Sequence, residues 1–290
     1  MFSGRPQQTI VGRASVAGFG YWSGADVRIE FRPAAPGAGV TFVRGDLGPL
    51  ARIPATIDCR VECPRRSNLR RGAATVDMVE HVLSALSGLE IDNCEVWTNQ
   101  PEMPGCDGSA AAFVDALLRA RVVQQGTAAR SLEVTETIRV GDSGCWIEAR
   151  PADDGELFVE YRLDDERSPA IGRQVARITA TPETYRRELA SARTFVLEGE
   201  AQAMQRDGLG LRVTTKDLLV FDNQGPIDAR LRFPNECARH KALDVLGDLA
   251  LCGRRVVGRI VAHRSGHRLH AELVRQLVER CASAPLRATA

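Results

Sequence analysis

Five histidines occur in the chain, His81, His240, His263, His267 and His270. Imidazole is the commonest side chain for metal ligation and for proton transfer near neutral pH, so each is weighed by its neighbours. His240 and Asp244 stand four residues apart in residues 236–252, which read as a helix closed by Gly253. That spacing puts them on one face, a turn apart, where two side chains can hold one metal ion. At about 100° per residue, His240, Lys241, Asp244 and Asp248 form one narrow stripe on an otherwise apolar helix. A lone His-x-x-x-Asp pair is more often a solvated face than a ligand pair. Glu80-His81 is embedded in the apolar residues 78–83. There His81 could ligate a metal while Glu80 reaches a water, or Glu80 could simply favour the positive end of a helix. Ser265-Gly266-His267 follows an apolar strand, where the histidine either enters a cleft or sits in a turn.

Taken together, the residues say more than each alone. His81, His240 and Asp244 make a two-histidine, one-carboxylate set, the catalytic type that leaves a position open for water. Glu80 is then placed as general base, His267 as general acid, and Asp248 as the group that holds the His267 ring. The chemistry this set fits is amide hydrolysis, with a metal to polarise the carbonyl and two side chains to manage protons.

The elements that must position these groups alternate in kind. Residues 1–70 read as short strands and turns, with strict alternation over residues 26–31. A helix is expected from an Asp77 cap to Gly88, a strand at 95–97, and a second helix capped by Ser109. After the polar stretch 124–127 come strands at 132–140, 145–149 and 157–161, then helices at 182–189, 198–206 and 236–252. A strand at 256–263 and a helix over 271–281 finish the pattern. Each half runs from strands to helices, so the expected fold is α+β in two domains, residues 1–125 and 126–290. No internal repeat is visible in the sequence.

Composition narrows the function classes. Lys+Arg of 38 against Asp+Glu of 37 leaves no charge excess for wholesale binding of nucleic acid or membrane. The basic residues are nearly all arginine, read as a coding bias. Eight cysteines without a Cys-x-x-Cys pair fit neither a thiolate zinc knuckle nor a secreted disulfide framework. With no leader-like start and no apolar run long enough for a bilayer, the expected location is the cytoplasm.

Four ordered segments give the chain a resemblance to a known family. They are residues 79–93, opening Val79-Glu80-His81; residues 104–114, opening Pro104-Gly105-Cys106-Asp107-Gly108-Ser109; Ser191-Ala192-Arg193-Thr194-Phe195; and residues 239–249, opening Arg239-His240-Lys241-Ala242-Leu243-Asp244 and followed later by Ser265-Gly266-His267. Their order and spacing resemble those of the UDP-3-O-acyl-N-acetylglucosamine deacetylases. The resemblance implies two similar α+β domains, each a layered sandwich of helices and sheets, with the active site at their junction. It implies His81, His240 and Asp244 as ligands of Zn2+ (Fe2+ is the alternative in the cell), Glu80 as base, and His267 with Asp248 as acid. It further implies that Thr194 helps hold the oxyanion, that Lys241 lines the site, and that Arg264 and Phe195 belong to the substrate-binding surface. Arg264 stands where many relatives carry lysine near the substrate diphosphate, and a guanidinium serves phosphate by forked hydrogen bonds.

Three stretches depart from the family pattern. Gly18-Phe19-Gly20-Tyr21-Trp22-Ser23-Gly24 carries Trp22 where a histidine is usual; residues 67–71 and 211–214 also differ. None of these removes a ligand or proton-transfer group, but they change walls that would face substrate. The expected activity is removal of the N-acetyl group from a UDP-linked 3-O-acylglucosamine in lipid A biosynthesis, with that nucleotide sugar as partner. The alternatives are an amide hydrolase for another acylated amino sugar and a non-catalytic sugar-nucleotide binder.

Overall fold

The computed structural model describes residues 5–281. Its first half contains β1 (Pro6–Ile10), β2 (Ala14–Phe19), β3 (Asp26–Pro33), β4 (Val40–Arg44), β5 (Arg52–Pro54), β6 (Arg60–Val61), β7 (Asn68–Arg71), β8 (Ala74–Val76), α1 (Glu80–Gly88), β9 (Cys94–Thr98), α2 (Ala111–Arg119) and β10 (Val122–Ala128). The second contains β11 (Ser131–Glu133), β12 (Ile138–Gly141), β13 (Trp146–Arg150), β14 (Leu157–Asp165), β15 (Gly172–Thr179), α3 (Pro182–Glu188), β16 (Phe195–Leu197), α4 (Glu198–Arg206), β17 (Leu219–Phe221), α5 (Glu236–Leu249), β18 (Arg255–His263) and α6 (His267–Cys281).

Two sheets repeat one topology. The first runs β2-β3-β9-β4-β5 and the second β12-β13-β18-β14-β15. In each, the central strand is antiparallel to one neighbour and parallel to the other: β9 to β3 and β4, β18 to β13 and β14. In each, the central strand also lies between two helices in sequence, α1-β9-α2 and α5-β18-α6. The fold is therefore α+β with two similar halves, although no repeat is legible in the residues. β11 adds to the second sheet by pairing in parallel with β18. The insertions differ: β6-β7-β8 precedes α1, whereas α3, β16, α4 and β17 precede α5.

Helix α2 packs on β2, α5 on β14 and β15, α6 on β12 and β13, and α1 lies against both α2 and α5. One continuous apolar core runs through both halves, from Ile29, Phe31 and Phe42 through Val82, Leu83 and Leu86 to Leu243, Leu246 and Ile260. The two halves pack tightly at Gly247, where a Cβ would lie 2.1 Å from the carbonyl oxygen of Glu80. Glycine inside a helix costs about 1 kcal/mol relative to alanine. Here it lets α5 sit directly on the start of α1.

Several boundaries differ from the expected ones. Helix α1 begins at Glu80 rather than at an Asp77 cap, because Met78 is left-handed (φ 59°) and Asp77 bridges to Glu102. Ala110 occupies the cap position of α2, and Ser109 Oγ instead accepts the Ala111 N–H at 3.2 Å. The single strand expected over 132–140 is two, β11 and β12, in partly different pairings. The polar stretch 124–127 lies inside β10, which pairs with β1. Strand β15 was not anticipated, since Arg173, Gln174 and Arg177 obscure its alternation. Helix α6 starts at His267, four residues before the expected position, so His267 is its first residue.

Candidate active site

Helix α1 brings in Glu80 and His81, α5 brings His240, Lys241, Asp244 and Asp248, and the β18–α6 turn brings Arg264, Ser265 and His267. The α5 stripe does not face water: His240, Asp244 and Asp248 are buried, as are Glu80, His81 and His267. Asp244 Oδ1 is 3.4 Å from His240 Nε2 and 3.7 Å from His81 Nε2, and the two rings meet edge to face at 5.0 Å. Asp244 Oδ1 is buried with no hydrogen-bond partner, although an unpaired buried carboxylate oxygen is costly. The other oxygen accepts from Lys241 Nζ at 2.7 Å. His240 Nδ1 lies 3.1 Å from the Ala192 carbonyl oxygen. That partner can only accept, so the proton sits on Nδ1 and the Nε2 lone pair points at the cluster.

The protonation states suit a cation. Burial pushes His81 down to about 3, with His240 beside it adding to the effect, and burial also lowers His240. Both rings are thus neutral near pH 7, as metal ligation requires. Burial works to raise Asp244, but the Lys241 charge and the neighbouring imidazoles hold its carboxyl well below the usual range. His81, His240 and Asp244 therefore fit a divalent metal by donor type, convergence and the orphaned oxygen. Asp248, His267 and His270 also converge among the described residues, but they satisfy one another by hydrogen bonds.

Beside this cluster, Glu80 Oε1 faces His267 Nε2 at 4.0 Å. Burial pushes Glu80 up to about 7, against the His267 charge. Burial also opposes a charged His267, yet the Asp248 carboxylate 2.7 Å from Nδ1, with Glu80 and Asp244 behind it, raises it to about 9. One group is poised to take a proton and the other to hold one.

Thr194 and Phe195 line the same cavity of about 970 Å³, as do Lys241 and Arg264. The Thr194 N–H donates to the Gly108 carbonyl oxygen at 2.8 Å, and its own carbonyl accepts from Leu219 N–H at 3.0 Å. Arg264 Nη1 donates to Glu166 at 3.0 Å. Asp248 stands behind His267, away from the cavity lining. Every site residue expected from the sequence thus falls in this one region.

The sequence did not point to four supporting groups. The buried Glu236 carboxylate accepts from Arg193 N–H and Nε (3.1 and 2.8 Å) and so holds the segment carrying Ala192 and Thr194. Tyr161 donates its hydroxyl to Ser265 O at 2.5 Å. Ser67 and His270 both contact Asp248. The one available signal was His270 itself, three residues after His267 on what proved to be the same helix. Met78 and Arg264 are both left-handed, at φ 59° and 53°, just before the Glu80-His81 and His267 segments. Such strain concentrates at functional sites.

A layered α+β protein with a buried His–His–Asp cluster beside a carboxyl and a charged imidazole belongs to the class of metal-dependent hydrolases. Comparison with known proteins gives the family. The sequence model of UDP-3-O-acyl N-acetylglycosamine deacetylase (LpxC) matches residues 7–279, and the chain belongs to that family. Among its relatives is the UDP-3-O-acyl-N-acetylglucosamine deacetylase of Anaeromyxobacter sp. (strain Fw109-5), 38% identical over 94% of this chain and 88% of the relative. Deacetylases of the same name from Psychrobacter cryohalolentis and Geobacter sp. (strain M21) are 36% and 34% identical over 94% of this chain, covering 85% and 89% of those proteins.

Proposed function

We propose that the protein is a zinc-dependent hydrolase that removes the N-acetyl group from UDP-3-O-acyl-N-acetylglucosamine, releasing acetate, in lipid A biosynthesis. The carrying observation is the convergence of His81 and His240 Nε2 on the orphaned Asp244 Oδ1, next to the Glu80–His267 pair. The substrate follows from the family and from the relatives' names. His81, His240 and Asp244 would hold the metal, which supplies Lewis acidity to the acetamide carbonyl and acidifies a water.

The chain's own groups do the rest. Glu80 takes the proton of the attacking water through Oε1, while Oε2 is held by the Ser67 N–H at 2.9 Å. Thr194, fixed at both backbone groups, offers a hydroxyl to the oxygen that gains charge in the tetrahedral step. His267 Nε2 then gives its proton to the leaving amine, and Asp248 balances the imidazolium charge at Nδ1. Lys241 holds Asp244 ionised, and Arg264 and Phe195 bind the substrate, Arg264 at its diphosphate. The proposed domains meet at 125/126 within β10, with one copy of the repeated sheet on each side. No helix among the described residues is long and apolar enough to cross a membrane.

The test is turnover of UDP-3-O-acyl-N-acetylglucosamine by the zinc-loaded protein, with His240→Ala and Glu80→Ala in parallel. His240→Ala loses both zinc and activity. Glu80→Ala keeps zinc at one per chain and loses a factor on the order of 10² in turnover. Near-normal turnover in Glu80→Ala would refute the role given to that carboxylate. Trp22, which lines the cavity and stacks under Arg66 at 4.3 Å, favours one variation on this reading, a different acylated amino sugar. Bound zinc with no turnover of the standard substrate would select it.

A further inference from the structure

Ser67 and His270 are fully buried, and neither lines the cavity, yet both are bonded to Asp248, the carboxylate that holds His267. Ser67 touches two carboxylates at once: its N–H donates to Glu80 Oε2 at 2.9 Å and its hydroxyl donates to Asp248 Oδ1 at 2.5 Å. His270 Nδ1 lies 2.7 Å from Asp248 Oδ2, the oxygen that also serves His267 Nδ1 at 2.7 Å. His270 Nε2 is 2.9 Å from Ser265 Oγ.

We infer that Ser67 and His270 are positioning residues that fix the general base and the general acid relative to one another. The inference rests on the reaction proposed above. An Asp248 bonded to His267 alone could turn about its Cβ–Cγ bond and carry the imidazole with it. Three donors hold it instead: the rings of His267 and His270 on Oδ2 and the hydroxyl of Ser67 on Oδ1. Helix geometry explains the second, since residues three apart on α6 project from one face toward the same point on α5.

The hydrogen-bond directions are set by chemistry. A carboxylate only accepts, so both Nδ1 atoms carry protons. With His270 neutral, which its burial favours, Nε2 is then an acceptor and receives a hydrogen bond from the Ser265 hydroxyl. Ser265 is itself anchored, its carbonyl accepting from Tyr161. On the other side, residues 67–68 clamp the segment that delivers Glu80. Val79 N–H donates to Ser67 O at 3.1 Å, and Met78 N–H to Asn68 Oδ1 at 3.2 Å. A network that only satisfied buried polar groups would not need to join the carboxylate of the base to the carboxylate behind the acid through one residue. Ser67 does so with its two donors.

The test uses the zinc-loaded protein and the variants Ser67→Ala, Ser67→Thr and His270→Phe, the last keeping ring bulk without hydrogen bonds. Ser67→Ala should lower kcat by about 10-fold, the scale of lost supporting contacts, with KM and zinc content unchanged. Ser67→Thr, which keeps the hydroxyl, should return most of that loss. A second readout needs no turnover. In the metal-free protein, the short imidazole N–H bonds to Asp248 should give two low-field proton resonances. His270→Phe should remove one, and Ser67→Ala should displace both. Wild-type kcat in Ser67→Ala, a change confined to KM, or unmoved resonances would overturn the inference. A wild-type protein that showed the resonances and their shifts but no turnover would instead count against the reaction, leaving the positioning geometry supported.

Discussion

Glu80 and His267 face each other at 4.0 Å, and their opposite tuning sets a pH dependence. Glu80, raised to about 7 by burial, must lose its proton to act as base, so activity falls as pH drops through that value. His267, raised to about 9 by Asp248 against the cost of burial, must keep its proton, so activity falls above that value. The profile of kcat/KM is therefore bell-shaped, and a bound dication moves both limbs to lower pH by favouring the deprotonated forms. In Glu80→Gln, the weak remaining turnover should lack the acidic limb; a wild-type limb in that variant would assign it elsewhere. The same pair bears on stability without metal. His267 rises from 6.5 to about 9 on folding, so its contribution is full below about 6.5 and lost as pH rises through 9. Asp248 is lowered, so its contribution is lost as pH falls below the carboxylate range. Thermal melts of the metal-free protein against Asp248→Asn should differ most between those limits. A difference independent of pH would reject this pairing.

Helices α1 and α5 cross where the absence of one side chain matters. Gly247→Ala would place a Cβ 2.1 Å from Glu80 O, a backbone atom that cannot swing aside. Overpacking of this kind costs about 1–3 kcal/mol, more than the helix propensity gained. The variant should melt several degrees lower and lose turnover as Glu80 is pushed from His267; an unchanged melt and rate would mean that α5 shifts freely. This crossing also explains what could be read from the sequence. Helix α5 was legible through its apolar periodicity, and its His240, Asp244 and Asp248 through their spacing. The site could be assembled because His81, His240, Asp244 and His267 are types with few structural uses in such surroundings. Ser67 and Glu236 were not legible, since their roles depend on contacts made 181 and 43 residues away. Nor was the start of α1, because nothing in residues 77–79 signals a left-handed methionine. The role of Gly247 is likewise invisible in the sequence, because it depends on the Glu80 carbonyl across the crossing.

Each half of the molecule carries an arginine-covered tryptophan on its sheet. Arg32 lies 3.8 Å over Trp97 on the first sheet, and Arg139 lies 3.9 Å over Trp146 on the second. Glu148 and Glu160 are each shared by two arginines on the second sheet. The site lies on the inner side, between the helices, and it is divided: His81 comes from the first half, His240 and Asp244 from the second. A metal held by all three is therefore a crosslink between halves that share one core. Binding stabilises the folded state by about 2.7 kcal/mol at a free concentration 100 times Kd. Because either half unfolding destroys the site, that stabilisation reaches both. Chelation should lower Tm while leaving a single cooperative transition, and added zinc should restore it. His81→Ala and His240→Ala should both abolish the zinc-dependent rise, although they lie in different halves. A rise that survived in His81→Ala would place the metal on α5 alone and remove the crosslink.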